Sequence, residues 1–225
     1  MAVGSSLSRS VVARVRTDLR HLVGPAVAAL QHGRWQRLWL GPATALLVLV
    51  LANVARTLPG QAFLQRWAVM RGSDAWWLTL QKVPLSVFAP AYLLPYRFAV
   101  MQVLVIFGAA QALIGVRRTL AVGLAAHVAG TFSVRMWVLL GPPAGLPVEY
   151  LNAPDAGPSV AALGLVIYIA VRHQVPWLAG LLLAFHVVEW LAVTGLAQRE
   201  HLVGGLVGAL ARLVRWPWNA SGRPR

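Results

Sequence analysis

The sequence contains no cysteine, so disulfide bonds and thiolate chemistry are excluded. Acidic residues are also scarce, with six aspartates and glutamates against 20 lysines and arginines. There is no P-loop, no dinucleotide-binding fingerprint and no internal repeat. The common sequence motifs for nucleotide binding are therefore missing.

Apolar residues, in contrast, are abundant. Of the 225 residues, 58% are hydrophobic and 12% are charged, and the mean hydropathy is +0.66. This composition is typical of a membrane protein. The net charge of +14 does not indicate a nucleic-acid partner, because the basic residues are scattered between apolar runs and form no basic face with stacking aromatics.

The apolar runs predict an all-α, polytopic membrane protein. Several of them approach the 17–25 residues that are needed to cross the hydrocarbon core. We predict six spans, at about residues 38–55, 92–116, 119–140, 158–171, 177–196 and 200–214. The chain then consists of a basic N-terminal segment (1–37), a single membrane domain (38–215) and a basic tail (216–225).

The distribution of arginine orients these spans. Basic residues are concentrated in the N-terminal segment, in the links between spans two and three and between spans four and five, and in the tail, which are therefore predicted to be cytoplasmic. The loop at 141–157 has no lysine or arginine and is predicted to be external. The first external segment, between spans one and two, carries basic residues that an external loop normally lacks. We interpret it as a partly interfacial loop whose arginines snorkel to headgroups. Its basic residues are Arg56, Arg66, Arg71 and Lys82.

The N-terminal 37 residues are not expected to be a signal peptide, because charges interrupt their apolar patches. Two interpretations of this segment stay open: a basic amphipathic helix on the inner leaflet, or a disordered basic tail. The predominance of arginine over lysine and the abundance of alanine suit a GC-rich bacterial genome. We therefore expect a multi-pass protein of a bacterial plasma membrane with both termini in the cytoplasm.

Polar residues inside apolar spans are candidates for function, because they are costly at membrane depth. The fourth and sixth predicted spans both enter from outside, so Ser159 and His201 are expected at similar depth. An imidazole within hydrogen-bond reach can remove the proton of a serine that attacks a carbonyl. Pro158 suits the first helical position and leaves the amides of Ser159 and Val160 free to stabilise an oxyanion.

These residues resemble two motifs of the rhomboid intramembrane serine proteases. The family's Gly-x-Ser-Gly motif is matched at Gly157 and Ser159, and its Ala-His-x-x-Gly-x-x-x-Gly motif is matched at His201, Gly204 and Gly208. The resemblance implies a six-helix rhomboid-like bundle with Ser159 as nucleophile and His201 as general base. It also implies cleavage of transmembrane protein substrates within the lipid bilayer, without a metal or an organic cofactor.

The resemblance covers about residues 38–215, with some departures. Val160 replaces the glycine after the serine, and Glu200 replaces the alanine before the histidine. The second span lacks the family's His-x-x-x-Asn arrangement, which helps to bind the oxyanion, and offers Tyr92 or Tyr96 instead. Loss of one oxyanion donor typically lowers turnover by about 10²–10³. A catalytically inactive rhomboid-like pseudoprotease that binds transmembrane partners is therefore an alternative.

A second constellation lies on the fifth span, where His186 and Glu189 are three residues apart and share one helix face. An imidazole and a carboxylate in this position can pair, relay protons or bind a metal, and His127 can join them if the helices meet. Two ligands do not make a coordination shell, so we expect mutual pairing and no metal. A small proton-coupled transporter that uses His186 and Glu189 is the second alternative.

Overall fold

The computed structural model of the protein describes residues 3–90, 95–142 and 145–214. Within these ranges the chain forms α-helices and short 3₁₀ turns and contains no β-strand, which confirms the all-α fold class. The predicted basic tail, 216–225, lies outside the described residues. The helices are α1 (Val3–Gln31), α2 (Leu40–Val54), α3 (Leu58–Trp67), α4 (Trp76–Ser86), α5 (Tyr96–Ile114), α6 (Val116–Leu140), α7 (Ser159–Arg172), α8 (Pro176–Ala192) and α9 (Leu196–Leu210).

Six helices, α2 and α5 to α9, overlap the six predicted spans in order. Among the described helices, α5 and α6 are both long and apolar enough to cross a membrane, with mean hydropathies of 1.8 and 1.3. Helices α2, α7 and α8 are apolar but have only 15, 14 and 17 residues. At 1.5 Å per residue these three extend about 21–26 Å, less than the ~30 Å of a typical hydrocarbon core. Length and composition therefore mark two candidate membrane-crossing helices.

The N-terminal segment is helical from Val3 to Gln31, as the first of the two interpretations required; its position on the inner leaflet stays a prediction. The helix continues through Pro25. It packs against α5 and buries Leu22 and Ala29, while most of its other described side chains remain at least partly exposed. A few buried apolar side chains therefore hold a largely exposed helix against the bundle.

Helices α7 and α9 pack closely, and glycine makes this contact possible. A methyl group added at Gly204 would overlap the side chain of Val160, and one added at Gly208 would lie 2.8 Å from the Cα of Gly164. The two contacts follow each other in the same order, four residues apart in both helices, so α7 and α9 run parallel. Such small-residue contacts let two helix backbones approach each other directly.

The segment with α3 and α4 is attached to the loop that precedes α7. Met70 and Asp155 exchange two backbone hydrogen bonds of 2.9 Å. Lys82 is one of the basic residues that disagree with an external location of this segment. It is buried and forms a 2.7 Å ion pair with Asp74. Arg135 of α6 donates to two backbone carbonyls of the same segment. The segment with α3 and α4 is therefore part of the folded bundle.

The glycine contact predicts opposite effects for the same substitution in two helices. Gly208→Ala puts a methyl group against the backbone of Gly164, so we expect it to lower the free energy of unfolding by about 1–3 kcal/mol. Gly180→Ala in α8 meets no atom within 4 Å, so we expect no loss and a gain of up to ~1 kcal/mol from better helix propensity. Thermal unfolding of both variants in one detergent measures the difference. Equal stability of the two would contradict the packing.

Candidate functional site

Ser159 and His201 lie at the same end of the bundle. Ser159 is the first residue of α7, and His201 follows the first residue of α9 by five positions. Because Val160 is level with Gly204, Ser159 and His201 differ in height along the parallel helices by about 3 Å, the rise of two residues. The parallel contact therefore places a hydroxyl and an imidazole at similar height on adjacent helices.

The chain enters α7 through a constrained turn. Gly157 has a φ of +127°, which favours glycine, and its N–H donates a 2.9 Å hydrogen bond to the carbonyl of Ser86. In the described part of the chain, the amides of Ser159 and Val160 donate no hydrogen bond. These amides belong to the first turn of α7, where N–H groups have no intrahelical acceptor. They can therefore donate to an oxyanion that forms beside Ser159.

Val160, which stands where the rhomboid motif has glycine, fills space between two neighbouring helices. Its Cγ1 lies 2.9 Å from the position that a methyl group at Gly130 of α6 would take, and it also fills the corresponding position at Gly204 of α9. The bulk added after Ser159 is thus matched by glycines on both neighbours. The departure from the motif is compatible with tight packing around the start of α7.

The structure does not join Ser159 and His201 by a hydrogen bond. Both ring nitrogens of His201 are buried and lack a hydrogen-bond partner in the part of the chain that the structure describes. The ring lies edge-on against that of His186 in α8, with 5.1 Å between the ring centroids. His201 therefore faces α8 here, and no hydrogen bond has to break before its ring turns toward another partner.

His186 and Glu189 are paired, with 2.8 Å between Nδ1 of the histidine and Oε2 of the glutamate. His201 completes a cluster of three, because one ligand-capable atom from each residue lies within 4.8 Å of the other two. The third member is thus His201. The sequence pattern had indicated His127 for this place. The pattern assigned His201 to Ser159 and so gave no reason to combine it with the pair on α8.

His127 lies elsewhere in the core. Its Nε2 is 3.2 Å from the Oγ of Ser86, at the end of α4, and both side chains are fully buried. A serine and a histidine in hydrogen-bond contact are a common catalytic pair, but this pair is closed to solvent and to substrate. It links α4 to α6 and holds the residue whose carbonyl receives the N–H of Gly157.

A pair of carboxyl groups beside the site was not indicated by the sequence pattern. Asp155, in the loop before α7, accepts a 3.1 Å hydrogen bond from Oγ1 of Thr131 and contacts the carboxyl of Glu200. Two carboxyl groups make such a contact only when one of them carries a proton. Burial raises the pKa of Asp155 to about 6, although its hydrogen bonds oppose the shift. The one sequence feature that could have indicated this pair is Glu200, an acidic residue at the start of a long apolar run.

The two tyrosines proposed for the oxyanion are Tyr96, which the structure describes, and Tyr92, which it does not. Tyr96, at the start of α5, packs against the guanidinium of Arg56, which lies 5.9 Å from the ring centroid. No hydrogen bond or ring contact joins Tyr96 to Ser159 within the ranges that the structure describes. Tyr92 lies outside the described residues.

Comparisons of the chain with models of protein families, with curated proteins and with solved structures give no significant match. The site is therefore described by its own geometry. It combines a hydroxyl and free amides at the start of α7 with an imidazole cluster shared by α8 and α9.

The raised pKa of Asp155 predicts a pH dependence of stability. The carboxyl titrates near 3.8 when unfolded and near 6 when folded, so the folded protein binds this proton more tightly. Asp155 and Glu200 share this titration, so we expect the free energy of unfolding to fall as the pH rises from about 4 through about 6, by roughly 3 kcal/mol for a shift of about two units. Unfolding midpoints in detergent between about pH 4 and 7 measure this fall.

Asp155→Asn should make this fall smaller, because it removes one of the two carboxyl groups of the pair. Glu149→Gln is the matched control, since Glu149 is an exposed acid of the same loop and should leave the profile as in the wild type. Superimposable profiles for the wild type and Asp155→Asn would show that Asp155 does not titrate in this way.

Proposed function

We propose that the chain is a multi-pass protein of a bacterial plasma membrane, with a rhomboid-like bundle of six spans and both termini in the cytoplasm. Helices α5 and α6 support it, since they are long and apolar enough to cross a bilayer. Helix α8 supports it further, because large apolar side chains such as Leu181, Phe185 and Leu191 are 58–73% exposed, and lipid is a more favourable neighbour for them than water. Local thinning of the bilayer accommodates the shorter helices.

Within this bundle the proposed activity is that of an intramembrane serine protease acting on transmembrane protein substrates. The observation that carries the proposal is the parallel contact of α7 and α9, which brings Ser159 and His201 to the same end of the bundle at similar height. The free amides of Ser159 and Val160 add hydrogen-bond donors at the same place. The match of two sequence motifs agrees with this arrangement.

In the proposed reaction, Oγ of Ser159 attacks the scissile carbonyl while a ring nitrogen of His201 accepts its proton. The amides of Ser159 and Val160 donate to the oxyanion of the tetrahedral intermediate. His201 then protonates the leaving amine, and a water molecule releases the acyl group by the same steps in reverse. His201 has to turn from His186 toward Ser159, and its unpartnered nitrogens allow this rotation.

A second candidate is a rhomboid-like protein that binds transmembrane partners without cleaving them. The observation that favours it is the orientation of His201, which contacts His186 and forms no hydrogen bond with Ser159. In this state no described residue accepts a hydrogen bond from the hydroxyl of Ser159. The two candidates share the fold and differ in whether His201 reaches Ser159.

Labelling of the purified protein with a fluorophosphonate probe separates these candidates. If Ser159 is activated by His201, the wild type is labelled, Ser159→Ala is not, and His201→Ala is labelled about 10²–10⁴-fold more slowly because the base is lost. Ser73→Ala is the matched control, since this hydroxyl bonds the side chain of Asn152 away from the site. It should be labelled as fast as the wild type.

A folded wild type that stays unlabelled, while a known rhomboid protease reacts in the same detergent, would refute proteolysis and favour the non-cleaving candidate. Labelling that persists in Ser159→Ala would refute the assignment of the nucleophile. Circular dichroism and the elution volume in size-exclusion chromatography establish that each variant is folded.

A further inference from the structure

We infer that His186, Glu189 and His201 form a binding site for a divalent transition-metal ion of the zinc type. Nδ1 of His186 and Oε2 of Glu189 are 2.8 Å apart, and one ligand-capable atom from each of the three residues lies within 4.8 Å of the other two. Two imidazoles and one carboxylate are a donor set that zinc accepts readily. The ligands come from α8 and α9, which a short link joins, so they lie close together near one end of the bundle.

The environment of His201 is a second, independent observation. Both of its ring nitrogens are buried, and neither has a hydrogen-bond partner among the described residues. Buried polar atoms are normally satisfied, because leaving them unpaired is costly. The edge-on contact with His186 packs the ring but leaves both nitrogens unpaired. A metal ion bound to one of them would supply the missing partner.

The geometry needs only a small adjustment. Zinc lies about 2.0–2.2 Å from its nitrogen and oxygen ligands, so the ligand atoms of a tetrahedral site are about 3.4 Å apart. The widest separation in the cluster, 4.8 Å or less, therefore has to shorten, which rotation of the His201 ring can achieve. The 2.8 Å contact between His186 and Glu189 has to open by about 0.6 Å, as the ion replaces the proton between them. The side chains of His186 and Glu189 are 12% and 27% exposed, so an ion and a water molecule as fourth ligand can reach the site.

The metal site does not depend on the proposed proteolysis, but a bound metal ion would prevent it. An imidazole bound to a metal through one nitrogen carries its proton on the other nitrogen. A metal-bound His201 therefore cannot accept the proton of Ser159. Metal binding and activation of Ser159 are alternative states of one side chain.

The test is a calorimetric titration of the purified chain in detergent micelles with zinc chloride. The protein is isolated through a tag without histidine and treated with a chelator first. The wild type should bind one ion per chain. Loss of an outer hydrogen-bond partner alone weakens metal sites by about 10–100-fold, so removal of a ligand in His186→Ala, Glu189→Gln or His201→Ala should weaken binding by at least ~100-fold.

His173→Ala is the matched control, because this partly buried histidine follows the opposite end of α7 and should not affect binding. His201→Gln, which preserves more of the side-chain volume, replaces His201→Ala if the latter does not fold. A wild type that binds no zinc, or binding that survives in all three ligand variants, would overturn the site. Neither result depends on labelling of Ser159, so failure of this inference and failure of the protease proposal remain distinguishable.

Discussion

The direct contact between α7 and α9 is the constraint on which the candidate site depends. It exists because Gly204 and Gly208 present no side chain toward α7, so Val160 and Gly164 can pack against the α9 backbone. Any larger residue at these positions would separate the helices and change the heights of the groups at their starts. The position of His201 relative to Ser159 thus follows from backbone packing one and two turns deeper in the bundle.

The same contact separates two polar environments. Glu200 and His201 are consecutive, and successive residues of a helix point about 100° apart. Glu200 turns toward α6 and the carboxyl of Asp155, while His201 turns toward α8 and His186. A carboxyl pair that retains a proton and an imidazole cluster suited to a cation therefore lie on two sides of one helix. The glycine face between them keeps the two environments apart.

The segment between α2 and α5 completes the end of the bundle at which α7 begins. Two backbone hydrogen bonds tie Met70 to Asp155, and the carbonyl of Ser86 receives the N–H of Gly157. His127 in turn contacts the hydroxyl of Ser86 from α6. The turn before Ser159 is thereby fixed from two sides, which limits how far the free amides at the start of α7 can move. A preorganised set of donors of this kind is what electrostatic stabilisation of an oxyanion requires.

The sequence by itself indicated the apolar helices α2 and α5 to α9, because long apolar runs bounded by glycine, proline and charge are a local signal, but it did not indicate α3 and α4, which lie in the segment interpreted as a loop. It also indicated the pairing of His186 with Glu189, since both lie on one helix face. Tertiary structure decided how each helix is rotated against its neighbours, and this rotation sets which polar groups meet. It turned His201 toward α8, brought Asp155 to Glu200 and buried Lys82 beside its ion-pair partner. Contacts between helices distant in sequence leave no periodic signal in either one, so only the packed bundle reveals them.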